Sequence, residues 1–185
     1  MDDGTFRWAV ADPSLIVDLL GTLRLEHGEL VDQLADERRC EAWLGRRLPH
    51  LGSGSPSPGP LVGLRERARV LFTAAVDGER LPADVVTDLS RRAARAPVTL
   101  AARIRPDGSP VVERVSRGSP GAAVEAEFAR SALALLGGPD SHLLRRCRAP
   151  ECILFFLQQD PRQHWCSAGC GNRARVARHR ARRKP

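Results

Sequence analysis

The sequence has no tyrosine, a single methionine, and only 4% aromatic residues among 185. No apolar run reaches the roughly 18 residues that a membrane-spanning helix needs, so no membrane partner is expected. The first residues, Met1 to Arg7, begin acidic and lack an apolar signal core, which predicts a cytoplasmic protein. In that reducing setting, clustered cysteines are read as metal ligands rather than disulfides. Glycine-rich phosphate loops and metalloprotease-like histidine pairs are missing. Asp18, Glu26 and His27 are scattered polar residues of the kind found on helix surfaces, so no enzyme is expected.

What the chain does have is a hydrophobic fraction of 42%, sufficient for a globular core, and an uneven charge. The net charge is +7, from 29 basic and 22 acidic residues. Gly171 to Pro185 holds seven of the basic residues and no acid, so positions 1–170 are balanced at 22 against 22. The whole basic excess therefore sits at the C-terminus. All but one of the basic residues are arginine, a usage that a GC-rich genome alone would produce; their clustering is not explained that way.

Hydrophobic periodicity predicts mainly helix. Residues 13–25 read as a helix opened by Pro13 or Ser14, with Leu15, Leu19 and Leu23 at helical spacing and His27-Gly28 after it. A second helix is expected over 29–36 and a third from Asp36, with Cys40 and Trp43 on its buried face; Cys40 reads as a small core residue. Gly52 to Pro60 is low-complexity and reads as a flexible loop. Leu61 to Val76 is amphipathic, with Leu64, Ala68, Leu71 and Ala75 on one stripe and Arg65, Glu66 and Arg69 off it. Ala83 to Ala94 follows as another helix. At Val98 the period changes to two, and Val98–Arg105 and Pro110–Val115 flank the turn Pro106-Asp107-Gly108-Ser109, predicting a hairpin. Ala122 to Leu136 is again helical, with Val124, Phe128, Ala132 and Leu135 inward.

Cys147, Cys152, Cys166 and Cys170 form two pairs, C-x4-C and C-x3-C, within 24 positions. Four thiolates in two short pairs suit one structural Zn²⁺ per chain, held tetrahedrally between a turn and a helix start, with no open position for catalysis. Ile153 to Leu157 is expected as a strand or hairpin arm and Trp165 as a lid. Arg145, Arg146, Arg148 and Arg173 are near enough in sequence to offset the cluster's charge. His164 could stand in for a thiolate, but reads better as a surface histidine.

Leu-Arg-Arg-Cys147, Trp165-Cys166-Ser167 and Cys170-Gly171-Asn172-Arg173 together resemble the CGNR zinc finger, a bacterial module named for that last tetrad. The segment Asp18-Leu19-Leu20-Gly21-Thr22 more loosely resembles the ABATE domain usually fused to that finger. The resemblance implies stress-related transcription regulators with a nucleic-acid-binding, zinc-ribbon-like or treble-clef-like finger. The chain departs from the family in having three rather than four residues between the last two cysteines, and in having His164 where a basic residue is common.

The expected architecture is therefore mainly α with a small β-hairpin: a helical domain over 1–140, then a finger over 141–185 ending in a basic helix. Asn172, Arg173, Arg175, Arg178, Arg180, Arg182, Arg183 and Lys184 are the expected nucleic-acid contacts, since guanidiniums pair bidentately with phosphate or guanine. DNA is the expected partner. RNA is the alternative, but stacking on RNA would have only Phe155, Phe156 and Trp165 to use. The competing class is a protein-interaction or redox-sensing module. The N-terminal domain reads as a sensor, homodimerisation or interaction domain whose ligand is not written in the sequence.

Overall fold

The structure, a computed structural model, describes residues 11–26, 28–48 and 57–182. His27, Arg183, Lys184 and most of the predicted 52–60 loop lie outside the described residues. Within them are six α-helices and three two-stranded antiparallel ribbons. The fold is mainly α with small β elements, as expected.

Helix α1 (Ser14–Leu20) is shorter than predicted. The last helical bond runs from Gly21 N–H to Val17 O at 3.0 Å; Thr22 then turns back on Leu19 O, its N–H at 3.2 Å and its hydroxyl at 2.6 Å, in a tighter turn that ends the helix. The chain then forms a hairpin, β1 (Leu23–Glu26) and β2 (Glu29–Asp32), where the periodicity had predicted helix over 23–25 and 29–36. The reason is local. Leu23-Arg24-Leu25-Glu26 and Glu29-Leu30-Val31-Asp32 both alternate, and Gly28 takes the left-handed turn conformation at φ +88 that other residues rarely adopt.

Helix α2 (Glu37–Arg47) is capped by Asp36, whose carboxylate accepts from Arg39 N at 2.8 Å. Cys40 and Trp43 share its buried face, as predicted. Helix α3 (Pro58–Asp77) begins three residues earlier than expected, so Pro58, Gly59 and Pro60 form its first turn rather than a loop. It stops at Gly78, φ +72. Helix α4 (Ala83–Ala94) leads into β3 (Val98–Ile104) and β4 (Pro110–Ser116), in register from Val98↔Ser116 to Ile104↔Pro110. Helix α5 (Pro120–Gly137) is capped by Ser119 and buries Val124, Phe128, Ala132 and Leu135, again as predicted.

The core lies between α1, α3 and α5. Ile16, Leu19, Leu64, Leu71, Phe72 and Phe128 are fully enclosed, and Trp43 stacks on Phe128 with ring centroids 5.5 Å apart. Ser131 pins α1 to α5: its hydroxyl accepts from Ile16 N at 2.9 Å and donates to Asp12 O at 2.6 Å. The β3–β4 ribbon, by contrast, leaves Ile104 and Val112 largely exposed and is held to α5 by Arg114, which donates twice to Glu127 at 3.0 and 3.2 Å.

Arg65 departs from the sequence reading. It is only 3% exposed and donates to both oxygens of Asp32 at 2.6 and 2.8 Å and to Thr22 Oγ1 at 3.0 Å. Folding β1–β2 over α3 brings Asp32 and Thr22 to the guanidinium, so a charge expected on the surface is buried and paired.

After a 3-10 turn (Pro139–Leu143), β5 (Leu144–Arg146) pairs with β6 (Phe155–Leu157), and α6 (Ala168–Arg182) closes the described chain. Adjacent strand residues point to opposite faces, and β6 uses both. Phe155 enters the main core, edge-on to Phe72 with centroids 6.0 Å apart, while Phe156 packs with Cys147, Ala149, Cys170 and Ala174 in a separate small cluster. No described helix is long and apolar enough to cross a membrane.

Candidate metal centre

Two turns present the cysteines. In the first, Cys147 leaves β5 with its N–H bonded to Leu154 O at 2.9 Å, and Cys152 N–H returns to Ala149 O at 3.1 Å. Glu151 closes this turn in the left-handed region, φ 62, the one described non-glycine residue with positive φ. Glu151→Gly is therefore expected to leave metal binding intact and raise stability, since glycine adopts this φ without the roughly 1 kcal/mol that an L-side chain sacrifices there. Thermal melting of the zinc-loaded protein checks this, and a melting temperature below that of the parent would contradict it.

The second turn leads into α6. Cys166 precedes the helix, and Cys170 lies in its first turn. Ser167 caps that turn, its Oγ accepting from Cys170 N at 3.2 Å and its carbonyl from Gly171 N at 3.1 Å. The Trp165 indole lies over Gly171, where a Cβ would come within 3.4 Å of the ring, so the predicted lid is present.

All four Sγ atoms lie within 4.8 Å of one another. The separations Cys152–Cys166, Cys170–Cys152 and Cys166–Cys170 are 3.8, 3.7 and 3.5 Å. Four sulfurs placed tetrahedrally about Zn²⁺ at about 2.3 Å would be about 3.8 Å apart, so the thiols already outline the coordination shell of one structural zinc. The three-residue gap before Cys170 does not prevent this. His164 stays outside the quartet, edge-on to Trp165 with centroids 5.7 Å apart.

The electrostatics agree with a site that needs a cation. Burial pushes the Cys152 thiol up to about 11, and pushes Cys166 higher still. Burial also works to raise Cys170, but hydrogen bonds from Ser167 and the other three thiols outweigh it and hold Cys170 below the ordinary thiol value. Without a metal, then, one thiolate is favoured at the expense of its neighbours; a divalent ion stabilises all four.

Of the four arginines expected to offset the cluster, Arg173 reaches it, donating to Cys170 Sγ at 3.1 Å. Arg146 instead pairs with Asp77 of α3 at 3.1 Å, and Arg145 donates to the carbonyls of His142 and Leu144. Asn172, Arg175, Arg178, Arg180 and Arg182 are exposed along α6. Within that row, Asn172 Oδ1 accepts from Arg175 at 3.2 Å.

A second arginine overlooked in sequence fastens the finger to the rest. Arg69 of α3 donates to Ile153 O at 2.9 Å and to Leu20 O at 3.1 Å, bridging the cysteine loop and the end of α1. Helical spacing gave no sign of this, because both acceptors are backbone carbonyls. Arg65 did carry a signal: it lies four residues after Leu61 and three before Ala68, on the buried stripe itself.

Residues 144–183 match the CGNR zinc finger profile. The profile described as "Putative stress-induced transcription regulator", ABATE, matches residues 14–139, more than half of the chain. The chain belongs to the ABATE family. Its ABATE region spans α1 to α5, and the CGNR match spans β5 to α6 with all four cysteines. No curated protein matches the chain. The ABATE match, with the CGNR finger and its four-cysteine site, makes this a candidate regulator built on structural zinc.

Proposed function

We propose that the chain is a DNA-binding transcription regulator of the cytoplasm, without enzymatic activity, which reads its target through α6. The observation that carries this reading is the exposed arginine row Arg175, Arg178, Arg180 and Arg182 on a helix whose first turn supplies a zinc ligand. Arg175, Arg178 and Arg182, at i, i+3 and i+7, share one face. The 15 residues of α6 extend about 22 Å, and a major groove about 12 Å wide admits such a helix. The metal fixes the angle at which the helix leaves the body, so the guanidiniums meet the phosphates as a preset array. Arg183 and Lys184 continue the basic run in sequence.

Binding of labelled duplex DNA and of RNA across a salt series tests this. Contact with about six phosphates gives a slope of log K against log salt near −5 on duplex DNA. Replacing Arg175, Arg178 and Arg182 together by Gln is expected to lower the slope by about three units and weaken binding at least tenfold, with zinc content unchanged. Unchanged affinity in that variant would defeat the role given to α6. Stronger binding to RNA at every salt concentration would move the reading to an RNA-binding protein.

A further inference from the structure

We infer that the cleft between the N-terminal domain and the zinc finger is the binding site for a small organic acid with an aromatic or other apolar body, and that its occupancy sets how the finger is presented to DNA. The site is the cavity of about 690 Å³ bounded on one side by α1, β1 and α2, and on the other by β6 and the second cysteine turn. That volume lies within the range of small-molecule pockets.

Its chemistry selects the ligand. Three guanidiniums from three separate elements line it: Arg24 of β1, Arg47 of α2 and Arg173 of α6. Guanidiniums donate and never accept, and each has several N–H groups. Arg47 is held by Asp18, and Arg24 by Glu26 and, in its hydrogen-bonding orientation, by Gln33; these contacts use only part of either fork. The carboxylate in the lining, Asp18, is already engaged by Arg47. Trp43, 7% exposed, is also in the lining. Arg173 also donates to Cys170 Sγ, yet each of the three guanidiniums has more N–H groups than these contacts use, so the cleft suits an acceptor-rich anion. Val17, Leu25, Leu154 and Leu157 supply an apolar surface for the remainder of the molecule.

The same walls explain the coupling. A molecule held here touches α1 and α2 of the ABATE region together with β6 and the cysteine turn that opens α6. It therefore has different contacts whenever the finger shifts against the domain, which is the requirement for a ligand to bias a conformational equilibrium. The binding claim stands independently of DNA recognition; the coupling claim rests on the proposed DNA reading.

The test uses the full-length zinc-loaded chain with three probes of one shape: 1-naphthoate, the neutral 1-naphthamide and the cationic 1-naphthylmethylamine. The acid is expected to raise the melting temperature and quench tryptophan fluorescence, with the amide weaker and the amine weakest. Arg24→Gln and Arg47→Gln, each verified as folded by circular dichroism, should weaken the acid about tenfold while leaving the amide unchanged, as loss of a charged hydrogen bond implies. Equal binding of all three probes, or no binding of the acid at millimolar concentration, overturns the site. For the coupling, 1-naphthoate should change the DNA affinity of the parent several-fold and that of Arg47→Gln far less. An unaltered DNA affinity despite acid binding overturns the coupling. If the parent binds no DNA at all, the regulator reading fails, while melting and quenching still decide the site.

Discussion

Stripping the metal, or replacing Cys170 by Ser, is expected to unfold the finger and leave α1 to α5 folded. The finger's own buried cluster is Cys147, Ala149, Phe156, Cys170 and Ala174, and two of those five are ligands. So small a core cannot offset the conformational entropy of fixing two turns and the head of a helix. Structural zinc supplies roughly 10–16 kcal/mol in modules of this kind, and that binding energy is their folding energy. The N-terminal part has a larger core of its own in Ile16, Leu19, Leu64, Leu71, Phe72 and Phe128, to which the finger adds only Leu144 and Phe155 as buried residues. Hydrogen exchange after chelation should show rapid exchange over residues 147–182 and retained protection in α1, α3 and α5. Protection of α6 without zinc would contradict the expectation. The pH dependence has a fixed sign. Cys152 and Cys166, raised by burial, are protonated at neutral pH in the metal-free state and must release those protons on binding zinc. Zinc affinity should therefore fall as pH falls, with proton release measurable by calorimetry in buffers of different ionisation enthalpy.

The same division between local and long-range chemistry decides what the sequence reveals. The cysteine quartet is legible because ligands of a small finger arrive as short-spaced pairs. The stripes Leu64–Ala68–Leu71 and Val124–Phe128–Ala132–Leu135 are legible because one helix repeats one period over several turns. The β1–β2 hairpin is not, since Leu23 extends the helical series Leu15–Leu19 as well as it begins an alternation; the conformation of Gly28 decides between them. Docking of the finger is hidden for a different reason. Phe155 and Phe156 are adjacent and equally apolar, yet one faces the domain's core and the other the metal cluster. Register determines that, and register depends on the pairing of β6 with β5. The cleft with Arg24, Arg47 and Arg173 is likewise assembled from residues far apart in the chain, which no local pattern marks.

Arg65→Met is expected to destabilise the N-terminal domain by about 3–5 kcal/mol, the usual consequence of removing one partner of a buried ion pair. The side chain is enclosed, donates to both Asp32 oxygens, and is the sole described cation on that carboxylate and on the buried Thr22 hydroxyl. Methionine fills much of the volume, so most of the loss falls on the stranded acceptors rather than on packing. For a chain of this size, that corresponds to a fall in melting temperature of about 10 °C. Adding Asp32→Leu to Arg65→Met should recover most of it, because a matched apolar pair strands no buried charge: the Thr22 hydroxyl keeps its bond to Leu19 O, half-exposed Glu66 turns to water, and the Leu34 N–H that Asp32 accepted is the remaining loss. A double variant as unstable as the single one would show that the loss came from packing. Acid titration separates the two explanations further. The hydrogen bond from Arg65 holds the Asp32 carboxyl below its usual value. A folded-state pKa lower than the unfolded one contributes stability that is full above about pH 4 and disappears as pH falls through the folded value. The parent should thus lose part of its advantage over the double variant below about pH 4, and the two stability curves should run parallel above it.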